Sequence, residues 1–250
     1  MKTKNLFKTV ICLLTLSLTF SCSSDEDSIA PIDTRSFITD SNVDYFINRD
    51  GTVNIIVSGE YTDSDSPNFG GDVANRGFVY GKTTNSVVNS NNTETALGSN
   101  PVNATFRNLD AGQTIYIRGF FEMSDGTYFY GNEIQTSTTI DASSTRSISM
   151  TIKPDLFFQN SEGITPELEV TAIEKESPIE IGFEYSLNSD FSNSSITLDS
   201  DMPGNIFLTT YSEFVTGLTS NTEYYFRPYA KYADGTITNG GTSTATFTTN

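Results

Sequence analysis

The 250-residue chain contains no histidine, so it lacks the side chain most used to move protons near neutral pH and the commonest metal ligand. Its two cysteines, Cys12 and Cys22, both fall near the N-terminus, and no thiol remains deeper in the chain to act as a nucleophile. What is left is carboxylate chemistry, for which a glycosidase pair would need two Asp or Glu held roughly 5–10 Å apart across a cleft. With 31 acidic residues, spacing singles out no such pair; no catalytic residue is assigned and the chain is not expected to be an enzyme. The run Asp63-Ser64-Asp65-Ser66-Pro67-Asn68 sets oxygen ligands on alternate residues, as calcium loops do, but without the downstream glycine and bidentate glutamate of an EF-hand. Asp63 and Asp65 are thus calcium candidates for which a solvated turn is the plainer reading, and Asp199-Ser200-Asp201 has less still to commend it. No other cofactor is expected.

Aromatic residues flanking a cation point to recognition instead of reaction. Tyr225 and Tyr229 flank Arg227, while Tyr116 and Phe120 flank Arg118. Alternation along a strand turns each trio to one side, as an aromatic-and-cation face suited to a sugar or protein partner. Tyr128, Phe129 and Tyr130 add a second cluster just after a turn. The competing reading is that these rings pair with neighbouring strands or fill a contact between domains.

The elements that must carry these side chains are strands. After residue 32 the chain is a series of short alternating runs separated by Gly, Asn, Asp, Ser and Pro, with no sustained apolar spacing of three and four. The pattern also repeats. "LDAGQTIYIRGFFEMSDGTYFYG" begins at Leu109 and "LTSNTEYYFRPYAKYADGTITNG" at Leu218, so Tyr116 meets Tyr225, Arg118 meets Arg227, and Gly131 meets Gly240. Upstream, Gly77-Phe78-Val79-Tyr80 corresponds to Gly182-Phe183-Glu184-Tyr185. Two copies cannot stack into a solenoid, so each needs its own core, and a period near 109 residues suits an immunoglobulin-like domain.

Strand faces follow from the alternation. Ile179, Ile181, Phe183 and Tyr185 oppose Glu180, Gly182 and Glu184, while Tyr224, Phe226, Pro228 and Ala230 oppose Tyr225, Arg227, Tyr229 and Lys231. If the two strands are neighbours, Glu180 and Glu184 face Arg227 and Lys231 across them, a favourable pairing. Val53, Ile55 and Val57 give an early core strand that Leu168, Val170 and Ala172 supply in the second copy. The "SDGT" and "ADGT" runs predict turns between the last two strands of each copy.

These residues resemble the fibronectin type III family, in the divergent form common in Bacteroidetes surface proteins, through "RGFVYG", "LTSNTEYYFRPYAKYADGT" and a final Thr-rich strand. The resemblance covers most of residues 33–250. It implies an all-β chain of two tandem immunoglobulin-like, fibronectin type III-like sandwiches, over 33–140 and 145–250. It further implies a tyrosine corner at Leu218 and Tyr224, with the hydroxyl bonded to nearby backbone. In the first copy Ile115 occupies the matching place and the tyrosine comes one residue later. The chain has no Trp, so a Phe or Tyr must fill the place of the tryptophan usually buried in such sandwiches.

The N-terminus reads as an address. Lys2, Lys4 and Lys8 precede a short apolar stretch, and Ser21 offers a small residue before the cut, which gives a signal peptide over 1–21. "LTFSC" resembles a bacterial lipobox, which implies that Cys22 is acylated and becomes the first residue; ordinary secretory cleavage without lipid is the alternative. Ser23-Ser24-Asp25-Glu26-Asp27 opens an acidic tether over 22–32 that looks like a Bacteroidetes surface-export signal. The formal charge of −17, without Lys/Arg clusters, argues against nucleic acid as a partner.

The function expected on these grounds is a surface-exposed outer-membrane lipoprotein, anchored through its lipid, whose non-catalytic modules bind or adhere to a glycan or surface protein. A structural spacer or assembly subunit of an envelope complex is the alternative, and a carboxylate glycosidase the third.

Overall fold

A computed structural model describes residues 35–62, 73–89, 92–143, 145–153, 158–160, 163–199 and 208–250. The signal peptide, Cys22, the acidic tether, Asp63, Asp65 and Asp201 lie outside them. Every regular element among the described residues is a β-strand, as the alternating pattern requires.

The first sandwich contains β1 (Ser36–Thr39), β2 (Asp44–Ile47), β3 (Val53–Thr62), β4 (Val73–Gly81), β5 (Thr93–Thr95), β6 (Val102–Leu109), β7 (Thr114–Met123) and β8 (Tyr128–Ser137). One sheet has β3 at its centre, with β1 and β2 following one another along one edge and β6 on the other. The facing sheet runs β5-β4-β7-β8. Val53, Ile55 and Val57 point into the core between them, where Phe78 lies fully buried.

The second sandwich contains β9 (Ser147–Ile152), β10 (Phe158–Gln159), β11 (Gly163–Thr165), β12 (Glu167–Glu174), β13 (Glu180–Ser186), β14 (Ser195–Leu198), β15 (Thr210–Ser212), β16 (Val215–Thr216), β17 (Glu223–Lys231), β18 (Ile237–Thr238) and β19 (Ala245–Thr248). Here β15-β12-β9 faces β14-β13-β17, with β18 and β19 both on the far edge of β17. Phe183 takes the buried place of Phe78. The chain is therefore all-β, with two tandem immunoglobulin-like sandwiches around separate cores.

The expected register holds. Glu180 pairs with Lys231 and Glu184 with Arg227, joined by ion pairs of 3.0 and 2.6 Å. One expected core position does not hold: a β-bulge between Val170 and Ala172 shifts the alternation, so Ala172 leaves the core and Ile173 packs against it instead.

The tyrosine corner is formed in the second copy, where the Thr219 amide donates to the Tyr224 hydroxyl at 3.0 Å. In the first copy Ile115 is buried core. A second corner bond, missed in the sequence, is common to both: Thr138 Oγ1 accepts from the Gln113 amide and donates to Asp110 O, and Thr249 Oγ1 does the same for Thr222 and Thr219. The 109-residue repeat sets Asp110 and Gln113 against Thr219 and Thr222, which was the available signal.

The first strand of each copy reaches across to the facing sheet: β1 lies against β8, and the Met150 amide of β9 donates to Gly240 O at 3.1 Å, between β18 and β19. The matched glycines mark the crossing. A Cβ on Gly131 would meet Phe37 O at 2.0 Å, and one on Gly240 would meet the Met150 side chain at 2.6 Å. Strands β7 and β17 break their pairing at matched places as well, at Gly119 in one copy and Pro228 in the other. Pro228 has no amide to offer the ladder, and the gap between β18 and β19 lies opposite it.

Candidate binding surface

The two aromatic-and-cation trios lie on the outer faces of the sheets, as alternation predicts, but both are largely covered by the chain itself. In the first sandwich Arg118 donates from Nε and Nη2 to Ser86 O at 2.8 and 2.5 Å. Its guanidinium carbon sits 3.9 Å from the centroid of Tyr130. Tyr130 in turn accepts the Val88 amide at 3.1 Å, and Glu133 accepts that of Asn85 at 2.7 Å. Loop 82–89 is thereby folded back on the sheet, and the outward-facing Val79 is fully buried.

The second sandwich repeats the device with different residues. The guanidinium carbon of Arg227 sits 4.1 Å from the centroid of Phe191, a buried residue of loop 187–194. Arg227 also bonds Glu184, which receives Ser194 Oγ at 2.6 Å. Burial pushes the Glu184 carboxyl upward, but bonds from Arg227, Ser194 and Asn239 outweigh it and hold the group below its ordinary value.

Phe120 and Tyr229, which a ligand would have to reach, are 3% and 4% exposed. The cause is a glycine on the neighbouring strand: Phe120 stands opposite Gly77 and Tyr229 opposite Gly182. The Phe120 ring occupies the space where a Gly77 Cβ would lie, 2.9 Å away. A large ring beside a bare glycine covers backbone that water would otherwise reach. Tyr229 also donates to Glu180 at 3.2 Å; burial, then that carboxylate, pushes its phenol up. The accessible parts of the trios are the half-exposed Tyr116 and Tyr225, the latter donating to Glu223 at 3.2 Å.

The second cluster is the more open one. Tyr128 and Phe129 are 37% and 38% exposed, next to the Asp125-Gly126 turn. Tyr128 stacks on Tyr130 with centroids 6.3 Å apart and meets Phe120 edge-on at 5.9 Å. Its hydroxyl donates to Glu122 at 3.1 Å. On the opposite side of the strand the Arg35 guanidinium carbon lies 4.9 Å from the Phe129 centroid. Exposed rings held by neighbours lose little entropy on meeting a partner, and the hydroxyl and guanidinium beside them supply directional bonds. The sequence names both the trios and this cluster as a possible face; the difference in their exposure is not in the sequence, because alternation tells which side a residue faces and not what folds over it.

Among the described residues the carboxyls of Asp44, Asp50, Asp125, Asp141, Glu184, Asp190 and Asp234 are held below their ordinary values, mostly by hydrogen bonds from neighbouring side chains and amides. Among the described residues no group of three or more acidic or thiol side chains is placed to hold a metal ion, and no helix is long and apolar enough to cross a membrane.

No protein-family model and no curated protein matches the chain. Among solved structures it is similar to the FN1–FN3 domains of chicken CNTN1, at 12% identity and a TM-score of 0.28 over 84% of this chain and 66% of that one. The chain thus spans just under two thirds of that structure. Two closed cores, each beneath its own pair of sheets, make the chain a tandem of sandwiches independently of that similarity.

Proposed function

We propose that the chain is a non-catalytic binding or adhesion module of the cell envelope, with sandwiches over residues 33–140 and 145–250 carried on a lipid at Cys22 and exposed on the outer membrane, where they meet a glycan or a surface protein. The observation that carries the reading is the start of β8, where Tyr128 on one side of the strand and Phe129 on the other are both exposed and are held by Glu122 and Arg35 respectively. The leader sequence and Cys22 supply the membrane part.

Affinity capture from intact cells with the tagged, lipidated protein tests it. A glycan or surface protein should be retained by the unaltered chain and by Tyr225→Ala, and lost with Tyr128→Ala/Phe129→Ala. Capture unaffected by the double substitution would overturn this surface as the binding site, and a free thiol at Cys22 in the purified protein would overturn the anchor. The second reading, a spacer within an envelope complex, is favoured by the backbone pairing of Ile47 with Lys175 and Ser177.

A further inference from the structure

We infer that the two sandwiches are clamped into one fixed unit by a joint in which the outer edge of β2 pairs with the Lys175–Ser177 segment and Arg146 ties the connecting chain to both of the second sandwich's adjoining turns.

The inner edge of β2 is used by β3, which leaves the amide and carbonyl of Ile47 pointing away from the sheet. The second sandwich takes both. Ile47 donates to Lys175 O at 2.8 Å and accepts from the Ser177 amide at 2.9 Å, a parallel bridge centred on Glu176. An open strand edge is a pairing hazard, and here the chain's own next module caps it.

The side chains around the bridge are set to hold it. Lys175 sits at φ +66°, a conformation that a non-glycine residue keeps only when its surroundings impose it. Its ammonium pairs with Asp44 and lies 5.2 Å from the Tyr45 centroid. Tyr45 Oη is 3.3 Å from Thr145 Oγ1, and Arg49 Nε donates to Ile179 O at 3.1 Å. Arg146 has a side chain only 6% exposed, with Nη1 2.8 Å from Glu176 and Nη2 2.7 Å from Asp234. Its guanidinium carbon lies 4.1 Å from the Tyr232 centroid. Glu176 and Ser177 are themselves buried. Burying a cation, a carboxylate and a hydroxyl is tolerable only if each keeps its partner; Arg146 keeps Glu176 and Asp234 within the second sandwich and so holds the turn that presents the Lys175 carbonyl and Ser177 amide to Ile47.

Amide hydrogen exchange on the full lipidated protein in detergent, read by mass spectrometry, tests this. The Ile47 and Ser177 amides should exchange at least roughly a hundredfold more slowly than unstructured ones. Arg146→Ala should speed both by roughly tenfold or more while the β3 and β13 core amides stay protected. Exchange of Ile47 and Ser177 at the unstructured rate in the unaltered chain would overturn the clamp, whether or not the variant folds, as would Arg146→Ala leaving both amides unchanged. Ligand capture does not enter the readout, so failure of the binding proposal would leave this result standing.

Discussion

The side-chain amide of Asn132 grips the backbone of Thr39 on both its polar groups, accepting the Thr39 amide at 2.7 Å and donating to its carbonyl at 3.1 Å. An amide side chain presents the same donor and acceptor as a strand residue, so Asn132 continues the sheet where β1 crosses to β8. Thr39 Oγ1 completes the junction by accepting the Gly119 amide, which the break in the β7–β8 ladder leaves free. Asn132→Ala should cost about 2–3 kcal/mol, because two half-buried backbone groups lose their partners at once. Urea unfolding followed by a probe in the first sandwich measures this, and a loss below about 0.5 kcal/mol would show that water replaces the amide without penalty.

Three glycines should rank in an order that their conformations alone would not give. Gly126 has φ +84° and open space around it, so Gly126→Ala should cost only the left-handed penalty of about 1 kcal/mol. Gly240→Ala adds to its positive φ a clash with Met150, whose Cε at 2.6 Å can swing aside but whose Cβ at 2.9 Å cannot, and should cost more than the Gly126 change. Gly131→Ala has no φ penalty but drives a methyl into the Phe37 carbonyl, which is backbone and cannot yield, and about 3 kcal/mol or more is expected. Thermal unfolding of the three variants gives the order directly, and a Gly131 variant as stable as the Gly126 variant would contradict the crossing geometry.

Much of this was legible beforehand, and the parts that were not share one cause. Alternation assigned Ile181, Phe183, Tyr224 and Phe226 to the core, and opposite charges gave the pairing of β13 with β17, because both are properties of neighbouring residues on one strand or two. The repeat matched Gly131 with Gly240 without saying why, since the reason lies in a strand nearly a hundred residues upstream. Arg118 and Arg227 were read as a display face because nothing in a strand's period reveals that loops 82–89 and 187–194 fold back over it. The bulge at Val170–Ala172 left no trace in composition, and Ile173 became visible as core only once the register was known.

Tyr224→Phe removes one oxygen and leaves the Thr219 amide without its partner. A loss of about 1 kcal/mol is expected in the second sandwich, with the unfolding of the first unchanged because Ile115 makes no such bond. Equal losses in both would mean that the effect arises from general softening and not from the corner.

The Arg227–Glu184 pair makes the second sandwich sensitive to acid in a way that can be isolated. Glu184 is held below its ordinary value of 4.5 in the folded chain, so the unfolded chain takes up the proton first as pH falls. Stability from the pair is therefore fully present above about 4.5 and is lost as pH drops through the lower folded value. Asp190 and Asp234 are lowered as well, Asp234 to about 2, through bonds from the Thr236 amide and then Arg146. They titrate in the same direction, and the total acid response cannot be assigned to one group. The difference between the unaltered chain and Glu184→Gln removes the shared part. At neutral pH the glutamine variant should be the less stable, since Arg227 keeps its place over Phe191 but loses its counter-charge. The gap should close as the medium is taken from about pH 6 down through the lowered folded value of Glu184, where the native carboxyl itself becomes neutral. Urea midpoints across that range decide the matter, and a gap constant with pH would mean that the glutamine disturbs packing and that the ion pair contributes nothing.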